Sequence, residues 1–257
     1  MEYQKISLAT EGKVAVLKLN APEVLNAVSV DMLDELSHAV DAVTRSNARC
    51  LLLTGVGRAF CAGANLQPAK GDRKPSGANL ETHYHPLINK LRRMDIPMVS
   101  AVNGAAAGIG MSFAIMADLV IAGESAYFLQ AFAKVGLVPD GGATYYLPRM
   151  IGWNRALELS LLAERLPAEQ AHEWGLVNRV VEDEQLMEEA MSYAERLANG
   201  PKSLGLIRRA YWESTKNSFE EQVLLEADLQ MIASATSDHQ EGRESFLEKR
   251  DAKFTGN

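Results

Sequence analysis

Two segments rich in glycine and alanine could present bare backbone amides to a ligand. One is GRAFCAGANL (57–66), which follows a buried apolar run, and the other is NGAAAGIG (103–110), which lies between a predicted strand and a predicted helix. Small side chains let a ligand approach the backbone closely, and the first N–H groups of a helix are unpaired. Two such N–H groups aimed at one oxygen would stabilise an enolate or a tetrahedral oxyanion.

Taken singly, each segment is more typical of an ordinary strand-to-loop turn or of tight helix packing. The second segment lacks the Lys-Ser/Thr ending of a phosphate-binding P-loop, and its spacing does not fit the dinucleotide motif GxGxxG. The combination of the two segments therefore carries more information than either one alone.

One carboxylate, Asp140, lies in the later segment VGLVPDGGAT. Pro-Asp-Gly-Gly is a strong turn signal, because aspartate hydrogen-bonds its own backbone and glycine accepts a left-handed conformation. The residues alone therefore predict that Asp140 is a turn residue.

The elements that must position these segments alternate between strands and helices. Apolar residues after Ser29 recur at helical spacing, and short continuous apolar runs predict strands that are buried on both faces. Beyond Gly152 the sequence is nearly all helix-forming, and its last part, 202–254, has apolar stripes that need a packing partner. The predicted strands are 6–9, 14–20, 50–54, 98–102, 119–122 and the extended piece 126–132, and further predicted helices are 86–94 and 109–117. The segment 67–81, rich in Pro, Gly, Lys and Asp, predicts a surface loop that could cover a ligand.

Composition excludes several classes of protein. The chain has 257 residues, 47% of them hydrophobic, and a net charge of -7, so it can bury a large core but has no global field to attract nucleic acid or an anionic membrane. Its two cysteines, Cys50 and Cys61, lie in apolar stretches without metal-ligand spacing, which predicts buried free thiols and no metal site. No signal-peptide core and no run of about eighteen apolar residues is present, so a cytoplasmic protein is expected.

The order and spacing of three motifs resemble the crotonase (enoyl-CoA hydratase/isomerase) superfamily. They are NAPEVLNAVS, GRAFCAGANL and AVNGAAAGIGMSFAIMADLVIAGESAYF, and AEQAHEWGLVNRVV and FLEKRDAKFTG extend the resemblance over nearly the whole chain. The resemblance implies an α/β (α+β) fold, a spiral of repeated ββα units in residues 1–200. It also implies a C-terminal helical trimerisation region in 201–257, and a homotrimer or a dimer of trimers.

The resemblance also implies the ligand and the residues that bind it. The substrate would be an acyl-CoA thioester, with coenzyme A as part of the substrate and no separate cofactor. The thioester oxygen would accept hydrogen bonds from the N–H groups of Ala64 and Ile109. The residues implied to contact substrate or coenzyme A are Val24, Leu25, Ala27, Ala62, Ala64, Leu66, Ile109, Phe132 and, for the phosphates, Lys249.

Departures from the family pattern indicate which reaction to expect. Hydratases of this family have two glutamates, at the positions of Ser112 and Phe132, and neither of these residues can act as a carboxylate base. Asp140 matches the acid/base residue of the ring-1,2-epoxyphenylacetyl-CoA isomerases of phenylacetate breakdown, and some enoyl-CoA isomerases of fatty acid metabolism have a carboxylate nearby. An isomerase with Asp140 as its single acid/base residue is therefore expected. Its apolar surroundings are predicted to be Ile109, Phe128, Phe132, Leu137 and Val138.

Three alternatives remain open. The first is an enoyl-CoA hydratase-like lyase. The second is a 4-chlorobenzoyl-CoA dehalogenase-like hydrolase with Asp140 as nucleophile, which His85 favours and Phe132, in place of a tryptophan, disfavours. The third is a non-catalytic acyl-CoA-binding protein, which the absence of both glutamates favours.

Overall fold

Short apolar strands form the larger of two sheets. The computed structural model describes residues 2–66 and 79–257, so most of the predicted loop at 67–81 lies outside the described residues. The large sheet has the order β1-β2-β3-β5-β7-β10, in which β1 and β2 form an antiparallel hairpin and the other neighbours are parallel. Its strands are β1 (Ile6–Glu11), β2 (Val14–Leu19), β3 (Cys50–Gly55), β5 (Met98–Val102), β7 (Leu119–Gly123) and β10 (Arg179–Val181).

A smaller sheet of three-residue strands lies beside the first. It has the order β4-β6-β8-β9, with the first three strands parallel and β9 antiparallel to β8. Its strands are β4 (Ala59–Cys61), β6 (Ala105–Ala107), β8 (Tyr127–Leu129) and β9 (Arg165–Pro167). Both glycine-alanine segments therefore begin with a strand of this sheet, where only turns were predicted.

The helices pack their apolar faces on these sheets. Ser29 caps α1 (Val30–Thr44) by accepting a hydrogen bond from the Met32 N–H at 3.2 Å, which satisfies one of the unpaired donors at the helix start. The helices that follow are α2 (His85–Arg92), α3 (Ile109–Ile115), α4 (Ala143–Met150), α5 (Trp153–Leu162), α6 (Ala168–Glu173), α7 (Leu186–Ala198), α8 (Ser203–Ser214), α9 (Phe219–Ser234) and α10 (Ser237–Glu248).

Three predictions about elements were wrong in part. The extended piece 126–132 is a strand only at Tyr127–Leu129, and the chain then turns into a 3-10 helix at Ala131–Val135. The region beyond Gly152, predicted to be helical, also contains the strands β9 and β10. They form because β9 pairs with the edge of β8 and β10 pairs with the edge of β7. Residues 80 and 81 belong to a π-helical turn, Leu80–Tyr84, rather than to a loop.

Helix α8, the first of the C-terminal helices α8, α9 and α10, is held to the core by a buried arginine. Arg208 on α8 is 6% exposed, and its Nε donates to both carboxylate oxygens of Asp118 at 2.9 and 2.7 Å. Its terminal nitrogens donate to the backbone carbonyls of Leu91, Arg92 and Met94. The role of 201–257 in assembly, and its separation from 1–200, stay predictions.

Many large apolar side chains of these last helices face solvent in the single chain, Phe219 at 76% and Phe246 at 82% exposure among them. Both cysteines are buried and free, as predicted. Among the described helices, none is long and apolar enough to cross a membrane.

Candidate active site

The two predicted amide donors lie at the ends of neighbouring strands. Because β4 and β6 pair in parallel, the turn after β4 and the turn after β6 leave the small sheet side by side. Gly63 precedes Ala64 with φ +103°, and Gly108 precedes Ile109 with φ +52°, so both turns use backbone conformations that favour glycine. The structure therefore brings Ala64 and Ile109 to one place, as predicted from the sequence.

Within the described part of the chain, neither of these two N–H groups has an acceptor. The backbone of Val28 is hydrogen-bonded to the residues directly before and after Ala64. Its N–H donates to the Gly63 carbonyl at 2.7 Å, and its carbonyl accepts from the Asn65 N–H at 2.8 Å. The N–H of Ala64 points to the opposite side, and that of Ile109 is the first of helix α3. Neither donates to an acceptor among the described residues, so the pair is free to bind an oxygen of a ligand.

Asp140 lies against helix α3, the helix that begins with the Ile109 amide. The Ser112 hydroxyl of helix α3 donates to the backbone carbonyl of Asp140 at 3.0 Å. The carboxylate oxygen Oδ1 is buried and has no hydrogen-bond partner among the described residues. Burial raises the pKa of Asp140 from 3.8 to about 6, and the charge of His85 acts weakly in the opposite direction. Such a carboxyl group can be a base near neutral pH and can also return a proton.

The sequence did not mark Tyr84 as a member of the site. Burial raises the pKa of the Tyr84 hydroxyl and the charge of Asp140 raises it further, so Tyr84 lies near this carboxylate. Tyr84 ends the π-helical turn before α2, and π-turns are frequent at functional sites. The interrupted helical pattern at HYH was the available signal. The next residue, His85, is solvent-exposed, as expected.

The apolar surroundings of the site match the prediction only in part. Ile109, Phe128 and Phe132 are buried, and the Phe132 ring lies over Gly108, 3.8 Å from the position of a Cβ built there. Leu137 and Val138 are 44% and 80% exposed, so the prediction that they enclose Asp140 was wrong for the single chain. They lie in the irregular segment after the 3-10 helix, where no packed element holds them against the core.

A surface cavity of about 470 Å³ is lined by Ala64, the first of the two amide donors. The residues predicted to contact coenzyme A share this cavity, apart from Ile109, Phe132 and Lys249. Its lining consists of Pro22, Glu23, Val24, Leu25, Ala27, Arg58, Ala62, Ala64, Asn65 and Leu66. Arg58 and Asn65 were not predicted, although Arg58 stands directly before strand β4.

Asn26 explains the shape of this cavity. Its amide nitrogen donates to the carbonyls of Val56 and Ala59 at 3.0 and 2.8 Å, and its oxygen accepts from the Ala21 N–H at 2.9 Å. These bonds hold the turn at Leu25, with φ 55°, against the loop before β4.

Lys249 is placed apart from the other predicted residues. It is exposed at the C-terminal end of α10 and is not among the described residues that line the cavity. Its contact with phosphates stays a prediction. Among the described residues, no group of three or more His, Cys, Asp or Glu side chains could hold a metal ion.

Two neighbouring backbone amides with a carboxyl group on the adjoining turn are an arrangement that can bind the oxygen of a carbonyl compound and stabilise negative charge on it. Residues 9–257 match the family described as Enoyl-CoA hydratase/isomerase. The chain therefore belongs to this family of the crotonase superfamily, as the motifs predicted.

Relatives of this chain have different names. It is 44% identical to the 1,2-epoxyphenylacetyl-CoA isomerase of Escherichia coli K12, over 96% of each chain. It is 41% identical to a probable enoyl-CoA hydratase of Rhodobacter capsulatus, over the full length of both. The crystal structure of an enoyl-CoA hydratase subunit from Geobacillus kaustophilus HTA426 superposes with a TM-score of 0.92 at 38% identity, covering all of both chains. These likenesses establish a family of acyl-CoA hydratases and isomerases.

Proposed function

We propose that this protein is an acyl-CoA isomerase in which Asp140 moves a proton between two carbons of a thioester. The observation that carries the proposal is that Oδ1 of Asp140 is buried without a hydrogen-bond partner among the described residues, in a turn bonded to the helix that begins with the Ile109 amide. A carboxylate without a protein partner in an apolar site is available to a carbon acid of the substrate.

The proton transfer follows from this arrangement. A 3-enoyl-CoA would bind with its thioester oxygen on the N–H groups of Ala64 and Ile109. Asp140 would remove a proton from the carbon next to the thioester, and the electrons would spread as a dienolate onto the oxygen, which the two amides stabilise. The protonated Asp140 would then give the proton to the fourth carbon, leaving a 2-enoyl-CoA. Since the proton is taken up and returned by one group, a single carboxyl group suffices.

The residues at the two hydratase positions support an isomerase over a hydratase. Ser112 is fully buried and its hydroxyl is used by the Asp140 carbonyl, so it is not available to activate water. Phe132 is a buried apolar ring. Activation of water in a hydratase needs polar groups that this chain lacks at both places.

A second acyl group is favoured by one relative. The 44% identical protein of Escherichia coli is named a 1,2-epoxyphenylacetyl-CoA isomerase, and the same amides and carboxylate could guide opening of an epoxide ring next to an enolate. The two substrates are therefore alternatives within one proposed chemistry.

The test offers the purified protein a 3-enoyl-CoA, a 2-enoyl-CoA and 1,2-epoxyphenylacetyl-CoA in separate assays. The proposal expects the ultraviolet absorbance of the conjugated thioester to appear with the first or the ring-expanded product with the last. Loss of absorbance from the 2-enoyl-CoA as the main activity would identify a hydratase. A covalent aryl-enzyme adduct formed with 4-chlorobenzoyl-CoA and seen by mass spectrometry would identify a dehalogenase. Binding of all the thioesters without turnover would identify a non-catalytic protein.

A further inference from the structure

Helix α3 carries both an amide donor and a contact to the proposed base. Ile109 is its first residue, and Ser112 lies three residues later on the same turn. The Ser112 hydroxyl donates to the Asp140 carbonyl at 3.0 Å. Its Oγ is therefore bonded to the backbone of the residue whose side chain is proposed to move the proton.

Gly141 makes a second contact between the turn at Asp140 and helix α3. Its φ is +64°, and a Cβ built on it would overlap Ile109 Cδ1 and lie 2.7 Å from Ser112 Cβ. Real side chains do not come this close, so only glycine lets the turn at Asp140 lie directly on the first turn of α3. The hydrogen bond and the close approach act on neighbouring residues of one turn.

We propose that Ser112 and Gly141 are positioning residues that fix the Asp140 carboxyl group relative to the Ile109 amide. This inference rests on the proposed function. Ser112 acts through Asp140 and not on the substrate, so the position at which hydratases have a glutamate serves here to support the carboxyl group that remains. A glutamate at this position would need the space that the turn at Gly141 occupies.

Positioning matters because the rate of proton transfer depends steeply on the distance between the base and the carbon that carries the proton. A misplacement of about 1 Å can cost on the order of a hundredfold in rate. Helix α3 is a rigid element, so a base attached to its first turn keeps its distance from an amide on that turn. A turn at residues 139–142 without these contacts to α3 would leave the carboxyl group free to change its distance from the Ile109 amide.

The test uses Ser112→Ala, with Ser100→Ala as a matched control. Ser100 is also a fully buried serine, but its hydroxyl has no partner among the described residues. We expect Ser112→Ala to lower kcat about tenfold, since one hydrogen bond is lost, with KM changed less than about twofold. Ser100→Ala should leave both constants unchanged. Should Ser112→Ala fail to fold, Ser112→Cys keeps the volume with only a weak donor and replaces it.

A second pair of variants tests the close approach. Gly141→Ala should lower kcat at least as much as Ser112→Ala, because the added methyl group pushes the turn away from α3. Gly12 is the matched control: its φ is +59°, and a Cβ there meets nothing within 4 Å. Gly12→Ala therefore introduces the same backbone strain without a collision.

A direct readout is the titration of the Asp140 carboxyl carbon by NMR in protein with labelled aspartate, assigned by its absence in Asp140→Asn. Loosening the turn admits water, so the midpoint should fall from the wild-type value of about 6 towards 3.8 in Ser112→Ala. Tyr84 and His85 are present in each of the compared proteins, so their charges do not create the difference.

The outcomes separate the two proposals. A lower kcat together with a lower midpoint supports the positioning role. A wild-type kcat, or a loss of kcat with an unchanged midpoint, overturns it. A wild-type enzyme without isomerase activity contradicts the proposed function, while the NMR midpoint still decides whether Ser112 positions Asp140.

Discussion

Gly63 and Gly108 lie against each other at the ends of β4 and β6, and a Cβ built on Gly108 would be 3.8 Å from the Gly63 Cα. Each glycine comes directly before one of the two unused amides. The contact between them sets how closely Ala64 and Ile109 approach each other. The spacing of the two amide donors is therefore set by Gly63 and Gly108 and not by the side chains of Ala64 and Ile109.

Gly63→Ala should damage catalysis more than folding. The new Cβ would lie 3.0 Å from the Ala107 carbonyl oxygen at φ +103°, so the turn must shift and carry the Ala64 amide with it. Loss of one such donor costs on the order of a hundredfold in kcat. Steady-state kinetics with an acyl-CoA substrate measures this, and Gly152→Ala, at φ +81° with nothing within 4 Å, is the control. Equal rates for both variants would contradict the role of the Gly63 turn.

Asp140→Asn should stabilise the fold at neutral pH. The folded-state pKa, about 6, is above the unfolded value of 3.8, so the folded protein favours the protonated carboxyl group and loses stability as pH rises through this range. Removing the charge should raise the free energy of unfolding by about 1–2 kcal/mol at pH 7.5, after a discount for solvent that reaches the partly buried group.

Urea unfolding at pH 7.5 and again at pH 3.5 measures this difference. It should shrink at the lower pH, where the wild-type carboxyl group is mostly protonated in both the folded and the unfolded state. A less stable Asp140→Asn variant at pH 7.5 would show that the charged carboxylate has a partner that offsets its burial. Asp41→Asn, at a partly exposed carboxylate paired with Lys90, is a control for the loss of a negative charge that does have a partner, and it should not stabilise the fold.

Arg58→Met should weaken binding of coenzyme A. Arg58 is exposed and lines the cavity that begins at Ala64, so its guanidinium can meet a phosphate. We expect Kd for coenzyme A to rise about fivefold, and less at high salt, because exposed charge pairs are screened. Isothermal titration calorimetry at two salt concentrations tests this. Arg45→Met, at an exposed residue outside the cavity lining, should bind as the wild type does.

Arg208→Met should destabilise the protein, since it leaves Asp118 and three backbone carbonyls without their donor. The expected loss is about 3 kcal/mol of unfolding free energy. Arg209→Met, at the exposed neighbouring position, should change stability little. Chemical denaturation compares the two variants. Similar losses for both would mean that Arg208 does not anchor α8.

The sequence predicts the elements whose signal is local. Two examples are the strand Cys50–Gly55, marked by continuous apolar side chains, and the helix Val30–Thr44, marked by apolar residues at helical spacing. The strand Ala105–Ala107 has no such signal, because three alanines form a strand only when neighbours offer edges on both sides. The same holds for Arg165–Pro167.

The candidate site divides in a similar way. Ala64, Ile109 and Asp140 were assigned through the resemblance of their motifs to the crotonase superfamily, because the residues alone predicted only turns and tight packing. Tyr84 was missed because its position depends on how the π-helical turn packs. Val138 was assigned to the wall of the site from its apolar type alone, yet its segment extends into solvent.

The most direct measurement is single-turnover conversion of a 3-enoyl-CoA by Asp140→Asn beside the wild type, at pH 7.5 and saturating substrate. With the amides of Ala64 and Ile109 intact, binding should persist while the rate falls on the order of a thousandfold, as for loss of a general base. A folded Asp140→Asn protein that converts the thioester at more than about a tenth of the wild-type rate would contradict the account, since ordinary general-base contributions are far larger.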